Sequence, residues 1–270
     1  MKIALFGSSK PEACDRILCI LSTIPDIEIV DADNISPDVD MALSIGGDGT
    51  FLRTAHSVGQ YNIPILGINA GHLGFLSDIG LEEVEEALPA IFQGHYIVEQ
   101  RSLLHLQIPE CRQSYQTDSL NEVAILKRDQ SSMVSVAVWV DGEFLNQYDA
   151  DGLVVATPTG STAYAMSAGG PILEPQSDCF LIVPIAPHSL TSRPLVIRDS
   201  AVLDIEVSSR NELFLVATDG KPLHLTTQYR LQLSKSDHQV QVVRRPESSF
   251  YKTLRQKLMW GLQTKKRSDF

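Results

Sequence analysis

Basic residues and cysteines are both scarce in this chain. Its 22 lysines and arginines face 33 aspartates and glutamates, a formal net charge of -11, so non-specific attraction to nucleic-acid phosphates or anionic lipid does not drive its function. Any anionic ligand has to be held by local groups. The four cysteines, Cys14, Cys19, Cys111 and Cys179, form no CxxC pair and no Cys/His cluster at zinc spacing. Reduced, mostly buried thiols are therefore expected rather than a disulfide scaffold. Long apolar runs are missing too: the opening MKIALFGSSKPE breaks at Gly7, short of a signal-peptide core, and no stretch approaches a membrane span. A soluble, cytoplasmic protein is expected. With 270 residues, 43% of them hydrophobic, the chain is long enough for one large core or two smaller ones.

What is present changes character along the chain. Ile3–Phe6, a helix opened by Pro11, then Ile27–Val30, Met41–Ile45 and Pro64–Ile68 read as short apolar strands interleaved with helices. Continuous rather than alternating apolar runs suit strands covered on both faces of a parallel sheet. A further helix is predicted over Leu81–Phe92, its run of glutamates a solvated face. From about residue 101 the period becomes two: Leu104, Leu106 and Ile108, then Val134, Val136, Val138 and Val140, then Leu203, Ile205 and Val207, the pattern of antiparallel strands. Asp141-Gly142 and Asp219-Gly220 mark hairpin turns. Phe250, Leu254, Leu258 and Leu262 recur at steps of four, a short amphipathic helix packing back onto the body. The expected architecture is a Rossmann-like α/β domain over 1–98, joined by the helix of 247–270, and a β-rich, sandwich-like domain over 99–246. The active crevice is expected between them.

Four stretches carry chemistry. In Ser44-Ile45-Gly46-Gly47-Asp48-Gly49-Thr50-Phe51-Leu52-Arg53 a strand ends in three glycines around one carboxylate and leads into a helix. Glycines let backbone approach a ligand closely, and N–H groups at a helix start favour phosphate oxygens. The spacing of neither a Walker A loop nor a dinucleotide fingerprint is present, so Gly46, Gly47, Asp48 and Gly49 form a different phosphate cradle. Asp48 suits either a general base toward a ligand hydroxyl or a ligand for a divalent cation. In Asn69-Ala70-Gly71-His72-Leu73-Gly74-Phe75-Leu76 small residues open a strand end; His72 reads as a hydrogen-bonded loop histidine, and Phe75 as a base-stacking ring or a core seal. Asn121-Glu122 reads as a strand-entry turn whose polar groups also suit a ribose or base edge. Finally, Asp151-Gly152-Leu153-Val154-Val155-Ala156 empties into Thr157-Pro158-Thr159-Gly160-Ser161-Thr162-Ala163-Tyr164-Ala165-Met166-Ser167-Ala168-Gly169-Gly170-Pro171. Small and hydroxylated side chains of this kind make poor core and a close-fitting wall for a polar ligand.

Taken together, GGDGTFLR, NAGHLGF, Asn121-Glu122 and DGLVVATPTGSTAYAMSAGGP resemble the motif set of the NAD kinase family, in order and at similar separations. GGDG also occurs in lipid kinases and resembles a phosphofructokinase loop; TPTGSTAY with the Asn-Glu pair is more specific. The resemblance implies ATP-dependent phosphorylation of the adenosine ribose 2′-hydroxyl of NAD, giving NADP, with Mg²⁺ or a similar divalent cation. It implies Asp48 as general base and Gly49 at the phosphates. NAD would be contacted by Asp48, Gly49, Arg53, Phe75, Asn121, Glu122, Asp151, Thr162, Ala163, Tyr164, Ala165, Met166, Ser167 and Ala186. It also implies a homodimer or homotetramer whose sites are completed by a neighbouring subunit, with no nucleic-acid or membrane partner. Asp149 stands where many relatives carry Arg or Lys, and Lys221 where many carry Gln; both bear on the choice between NAD and NADH. The competing expectations are a lipid or sugar kinase sharing the glycine-rich loop, and a catalytically silent dinucleotide sensor.

Overall fold

The computed structural model describes residues 1–7, 11–71, 74–109, 115–129 and 133–261. They divide into two compact units: one from Met1–Thr54, Ile63–Glu99 and Val242–Phe270, the other from Ala55–Asn62 and Gln100–Gln241.

The first unit contains β1 (Lys2–Gly7), α1 (Pro11–Leu21), β2 (Glu28–Asp31), β3 (Met41–Gly46), α2 (Asp48–Val58, whose last residues belong to the second unit), β4 (Ile65–Asn69), β5 (Ile79–Gly80) and α3 (Val84–Phe92). β2, β1, β3 and β4 pair in parallel in that order, and β5 adds to β4. All six residues of β3 and all five of β4 are buried, as expected of strands covered on both faces. Ile3, Leu43, Ile45, Leu66 and Ile68 meet Ile17 and Leu21 of α1 and Val84, Leu88 and Ile91 of α3 in one core.

Helix α3 starts three residues later than its apolar periodicity predicts. The intervening turn is local: the Glu83 N–H donates to the Gly80 carbonyl at 3.0 Å, and the Glu83 carboxylate accepts the Gly80 N–H at 3.1 Å. The acids of the first helical turn are Glu85 and Glu86, where the helix dipole favours them.

The second unit runs through β6 (Ile97–Ile108), β7 (Tyr115–Ser119), β8 (Glu122–Lys127), β9 (Val134–Val140), β10 (Glu143–Ala150), β11 (Gly152–Ala156), α4 (Tyr164–Ser167), β12 (Cys179–Ile185), β13 (Leu195–Arg198), β14 (Leu203–Ser209), β15 (Leu213–Thr218), β16 (Lys221–Thr226) and most of β17 (Leu231–Arg244). One sheet orders β10-β9-β14-β17, with β6 joining β17 and β7; the other orders β13-β12-β11-β8-β15-β16. Their facing sides share a core in which Val136, Ile205, Leu233 and Leu104 meet Ile125, Val155, Phe180 and Val216, a sandwich. β11 and β12 are also covered on the outer face, where Val154, Leu181 and Val183 pack against Ala165 of α4. The two Asp-Gly turns form as expected, with left-handed φ at Asp141 (51°), Gly142 (82°), Asp219 (47°) and Gly220 (80°).

The chain closes with α5 (Phe250–Lys257), which ends one residue before Leu258 and buries Leu254; Leu262 lies outside the described residues. The thiols are less buried than expected: Cys14 and Cys179 are half-buried and Cys19 is exposed, all three free. Cys19 follows the exposed Leu18 on the outer face of α1, where burial is not available. Cys111 is outside the described residues. Among the described residues no helix is long and apolar enough to cross a membrane.

Candidate functional site

In the first unit the chemistry gathers at the end of β3. Gly47 and Gly49 are exposed, and a Cβ built on either would meet no atom within 4 Å. Packing therefore does not require glycine at these positions; their effect is to leave the start of α2 as bare backbone, open to close approach by a ligand. Between them Asp48 is the first residue of α2. Its Oδ2 accepts the Phe75 N–H at 3.0 Å and its Oδ1 the Leu76 N–H at 3.1 Å, so two amides at the end of the Asn69–Leu76 stretch fix the orientation of the carboxylate.

Gly74 is the condition for that arrangement, because a Cβ there would sit 2.0 Å from Asp48 Oδ1. Phe75 is half-buried, with the Lys257 ammonium over its ring at 5.7 Å from the centroid, a cation–π distance. Arg53 is exposed further along α2 and donates to Thr50 Oγ1 at 3.2 Å. His72 lies outside the described residues.

In the second unit a hub forms at the start of β8. The Asp219 carboxylate accepts three consecutive backbone N–H groups, from Leu120 at 2.7 Å, Asn121 at 2.8 Å and Glu122 at 3.1 Å. Burial still holds its pKa above the ordinary carboxylate value. Asn121 and Glu122 are each 8% exposed, and Glu122 Oε2 has no hydrogen-bond partner among the described residues. Burial first, and the Asp219 charge second, push the Glu122 carboxyl up to about 7, against the opposing pull of the Tyr164 backbone N–H. Near neutral pH Glu122 is thus poised between donor and acceptor. Gly160 lies against the same peptide: a Cβ there would be 2.1 Å from the Asn121 carbonyl oxygen.

Several hydroxyls of the Thr/Ser stretch bond within the protein itself. Thr157 Oγ1 donates to the Leu120 carbonyl at 2.5 Å and accepts the Gly160 N–H. Ser161 Oγ donates to the Pro158 carbonyl and accepts the Leu173 N–H, and Thr162 Oγ1 donates to the Thr159 carbonyl. These bonds shape a 3-10 turn at Thr159–Thr162 that delivers Tyr164 to the surface, 37% exposed, while Ala165 is buried in the core. Ala163 and Met166 are half-buried and Ser167 exposed.

Asp151 and Ala186 flank the start of β11 and the end of β12. Asp151 pairs with Lys127 at 2.6 Å and its N–H donates to the Ile185 carbonyl at 3.0 Å. The next residue, Ala186, is exposed and held at a left-handed φ of 44°, a conformation costly for a residue with a Cβ and often found at functional sites. In the β8–β11 register Glu122 faces Ala156 and Leu126 faces Gly152, so Glu122 and Asp151 mark opposite ends of one strand pair, about 16 Å apart at the usual rise per residue.

Sequence reasoning missed Asp219, Gly74 and Lys127 as members of these neighbourhoods. Asp219 read only as a turn residue; its partners lie almost a hundred positions away, and only the repeated placement of an aspartate in a tight turn hinted at a second use. The two departures sit outside the hub contacts: Asp149 accepts hydrogen bonds from Ser135 Oγ and Gln147 Nε2, and Lys221 is exposed on β16.

Comparison with known proteins matches both halves. The family model for the ATP-NAD kinase N-terminal domain covers residues 10–96, and that for the ATP-NAD kinase C-terminal domain covers 120–245. An NAD kinase of Bacteroides fragilis is 48% identical over 238 residues, 88% of this chain and 81% of that protein. One of Porphyromonas gingivalis is 45% identical over 229 residues, 85% and 79% of the two. Among solved structures, an Archaeoglobus fulgidus NAD kinase in complex with ATP superposes with a TM-score of 0.81 at 29% identity, over 96% of this chain and 99% of that one. The yeast NADH kinase complexed with NADH gives 0.87 at 23% identity over 97% and 89%, a likeness of fold.

Proposed function

The chain belongs to the ATP-NAD kinase family, and from that premise we infer that it transfers the γ-phosphoryl group of ATP to NAD, giving NADP and ADP. The acceptor is the 2′-hydroxyl of the adenosine ribose. The observation that carries the mechanism is Asp48, a carboxylate held by two backbone amides at the exposed, glycine-flanked start of α2. A ribose hydroxyl is a poor nucleophile near neutral pH, and a positioned carboxylate that accepts its proton contributes typically about 10²- to 10⁴-fold. The 2′-oxygen forms its bond to the γ-phosphorus, the bond from that phosphorus to the β,γ-bridging oxygen breaks, the proton passes to Asp48, and ADP leaves. Bare backbone at Gly47 and Gly49 receives phosphate oxygens, and Arg53 supplies a local cation that the net charge does not.

Asn121, Glu122, Thr162, Ala163, Tyr164, Ala165, Met166 and Ser167 hold the dinucleotide, with Phe75 beside it. Glu122, titrating near 7, can donate to one partner and accept from another. Asp151 and Ala186 stand about 16 Å along the strand pair from Glu122, which favours their serving the site of a second copy. The working assembly is then a homodimer or homotetramer, and a monomer at working concentration in light scattering would contradict it. The cytoplasm, which supplies NAD and ATP together, is part of the same reading.

A divalent cation such as Mg²⁺ fits as a companion of ATP. Among the described residues no group of three or more His, Cys, Asp or Glu side chains could cage a metal, and Mg²⁺ is commonly held by substrate phosphates with one or two carboxylates. Asp48, each oxygen taking one N–H, retains lone pairs for that role. Bound there, the ion neutralises phosphate charge.

The test is direct: the full chain with ATP, Mg²⁺ and NAD, read by an NADP-specific dehydrogenase. Formation of NADP, with no phosphorylation of diacylglycerol or fructose 6-phosphate, is expected. Phosphorylation of either alternative, or NAD binding without turnover, would contradict it.

A further inference from the structure

We propose that Arg245 is a positioning residue for phosphoryl transfer: clamped on Asp78, it fixes the loop whose amides orient Asp48. The inference rests on the kinase reading and extends it to a part of the chain that no motif marks. The loop that grips Asp48 through Phe75 and Leu76 continues two residues later into Asp78, whose side chain is 3% exposed. Arg245 meets that one residue at three points. Its backbone N–H and its Nε donate to Asp78 Oδ2 at 2.9 and 3.3 Å, and its Nη2 donates to the Asp78 carbonyl oxygen at 3.1 Å. Arg244 Nη1 takes the other carboxylate oxygen at 3.3 Å.

Arg245 is itself fixed. Its Nη1 and Nη2 reach the two oxygens of Glu83 at 3.2 and 3.5 Å, and Glu83 accepts the Gly80 N–H at the far end of the same loop. Both ends of the segment from Asp78 to Gly80 are therefore tied to one guanidinium, whose planar fork suits such a set of acceptors.

Besides Arg245, only Arg244 is seen to hold the Asp78 carboxylate among the described residues. On that side the loop borders a polar cavity of about 340 Å³, lined by Ser77, Asp78, Glu83, Arg245 and Lys252 among others, whereas its flanking Leu76 and Ile79 side chains are buried. On the opposite side it lies against β4: the Asp78 N–H donates to the Gly67 carbonyl at 3.0 Å, and a Cβ on Gly67 would come within 2.8 Å of the Leu76 carbonyl oxygen. Without the Arg245 fork, Asp78 loses the Nε and Nη2 donors, and the loop that carries the Phe75 and Leu76 amides loosens against Asp48. A displacement of about 1 Å in a group that orients a reacting atom can cost on the order of a hundredfold in rate.

The experiment compares the full-length wild type with Arg245→Ala and Arg245→Lys. Amide hydrogen exchange at Phe75 and Leu76 is measured beside steady-state kinetics with ATP and NAD. For Arg245→Ala, exchange at both amides is expected to quicken about tenfold or more, with Val123 and Ile125 of the second unit unchanged. Its kcat should fall about tenfold to a hundredfold while KM for NAD moves no more than about threefold. Arg245→Lys, which keeps the charge and loses the fork, should fall between the two. Unchanged exchange at Phe75 and Leu76, a kcat within about twofold of wild type, or acceleration of both units alike would overturn the proposal. Should Arg245→Ala fail to fold, Glu83→Gln loosens the same clamp and is expected to raise exchange at the two amides and lower kcat, each about threefold; no change in either overturns it. Absence of NADP formation by the wild type would instead remove the kinase reading, and the exchange measurement would still decide the clamp.

Discussion

Asp48 and Asp219 are both aspartates gripped by consecutive backbone amides, yet they are set to opposite ends. Two amides hold Asp48 at an exposed helix start, between glycines that leave open space, so the carboxylate is oriented and remains reachable. Three amides hold Asp219 so that it organises the peptide of Asn121 and Glu122, next to a buried carboxyl with an orphaned oxygen. The difference teaches that the amide grip is generic and that its surroundings differ: open space beside glycines at Asp48, and burial that raises the pKa at Asp219.

The sharpest way to break this contrast is to neutralise the reachable carboxylate. Asp48→Asn keeps the shape but loses the base and one of the two amide acceptors, since its Nδ2 cannot accept an N–H, and kcat should fall about 10²- to 10⁴-fold. Its melting temperature should stay within a few degrees, and near-normal turnover would end the role of Asp48 as base.

Next in size is Gly74→Ala, whose Cβ would land 2.0 Å from Asp48 Oδ1. The carboxylate or the loop has to shift, so kcat should drop by more than about tenfold, with a stability loss of about 1–3 kcal/mol in denaturant unfolding. Gly160→Ala is the counterpart in the second unit, pressing on the Asn121 carbonyl. There the expected kinetic signature differs, a rise in KM for NAD of about tenfold, larger than the change in kcat. Equal effects of the two substitutions on kcat and KM would erase the distinction between a transfer group and a holding group.

The smallest effect on turnover is expected from Glu122→Gln, which is read in stability. With the folded carboxyl pushed up to about 7 from an ordinary value of 4.5, the folded chain keeps a proton that the unfolded chain has lost. This contribution to stability is fully present below about pH 4.5 and is lost as pH rises to about 7. The loss is at most about 3 kcal/mol. The glutamine variant lacks this titration, so the stability difference in its favour should grow from pH 5 to pH 8; a constant difference would show that Glu122 titrates normally.

Much of the fold was legible because one physical signal dominated each part. Strands β3 and β4 are uninterrupted apolar runs because both faces are covered, and the two Asp-Gly turns need the positive φ that those residues tolerate. The glycine-flanked Asp48 could be found because Gly47 and Gly49 serve no packing purpose. What escaped were pairings across long stretches of sequence, such as Asp219 with Leu120 and Arg245 with Asp78. A short carboxylate or a guanidinium looks the same in sequence whether it faces water or a distant backbone. The bonds of the Thr157 and Ser161 hydroxyls to buried carbonyls were equally hidden, because a residue type suited to a ligand is equally suited to a carbonyl. The start of α3 shifted because the Glu83 side chain closes a turn that apolar periodicity does not register.

The most direct measurement follows the phosphorus atom. The full chain is incubated with NAD, Mg²⁺ and ATP labelled at the γ-phosphorus, and the product is resolved by chromatography and phosphorus NMR. The expected result is label on the 2′-oxygen of the adenosine ribose, one equivalent per ADP formed. Label appearing as inorganic phosphate at the same rate with or without NAD, or on any other position of the dinucleotide, would contradict transfer from ATP to that hydroxyl.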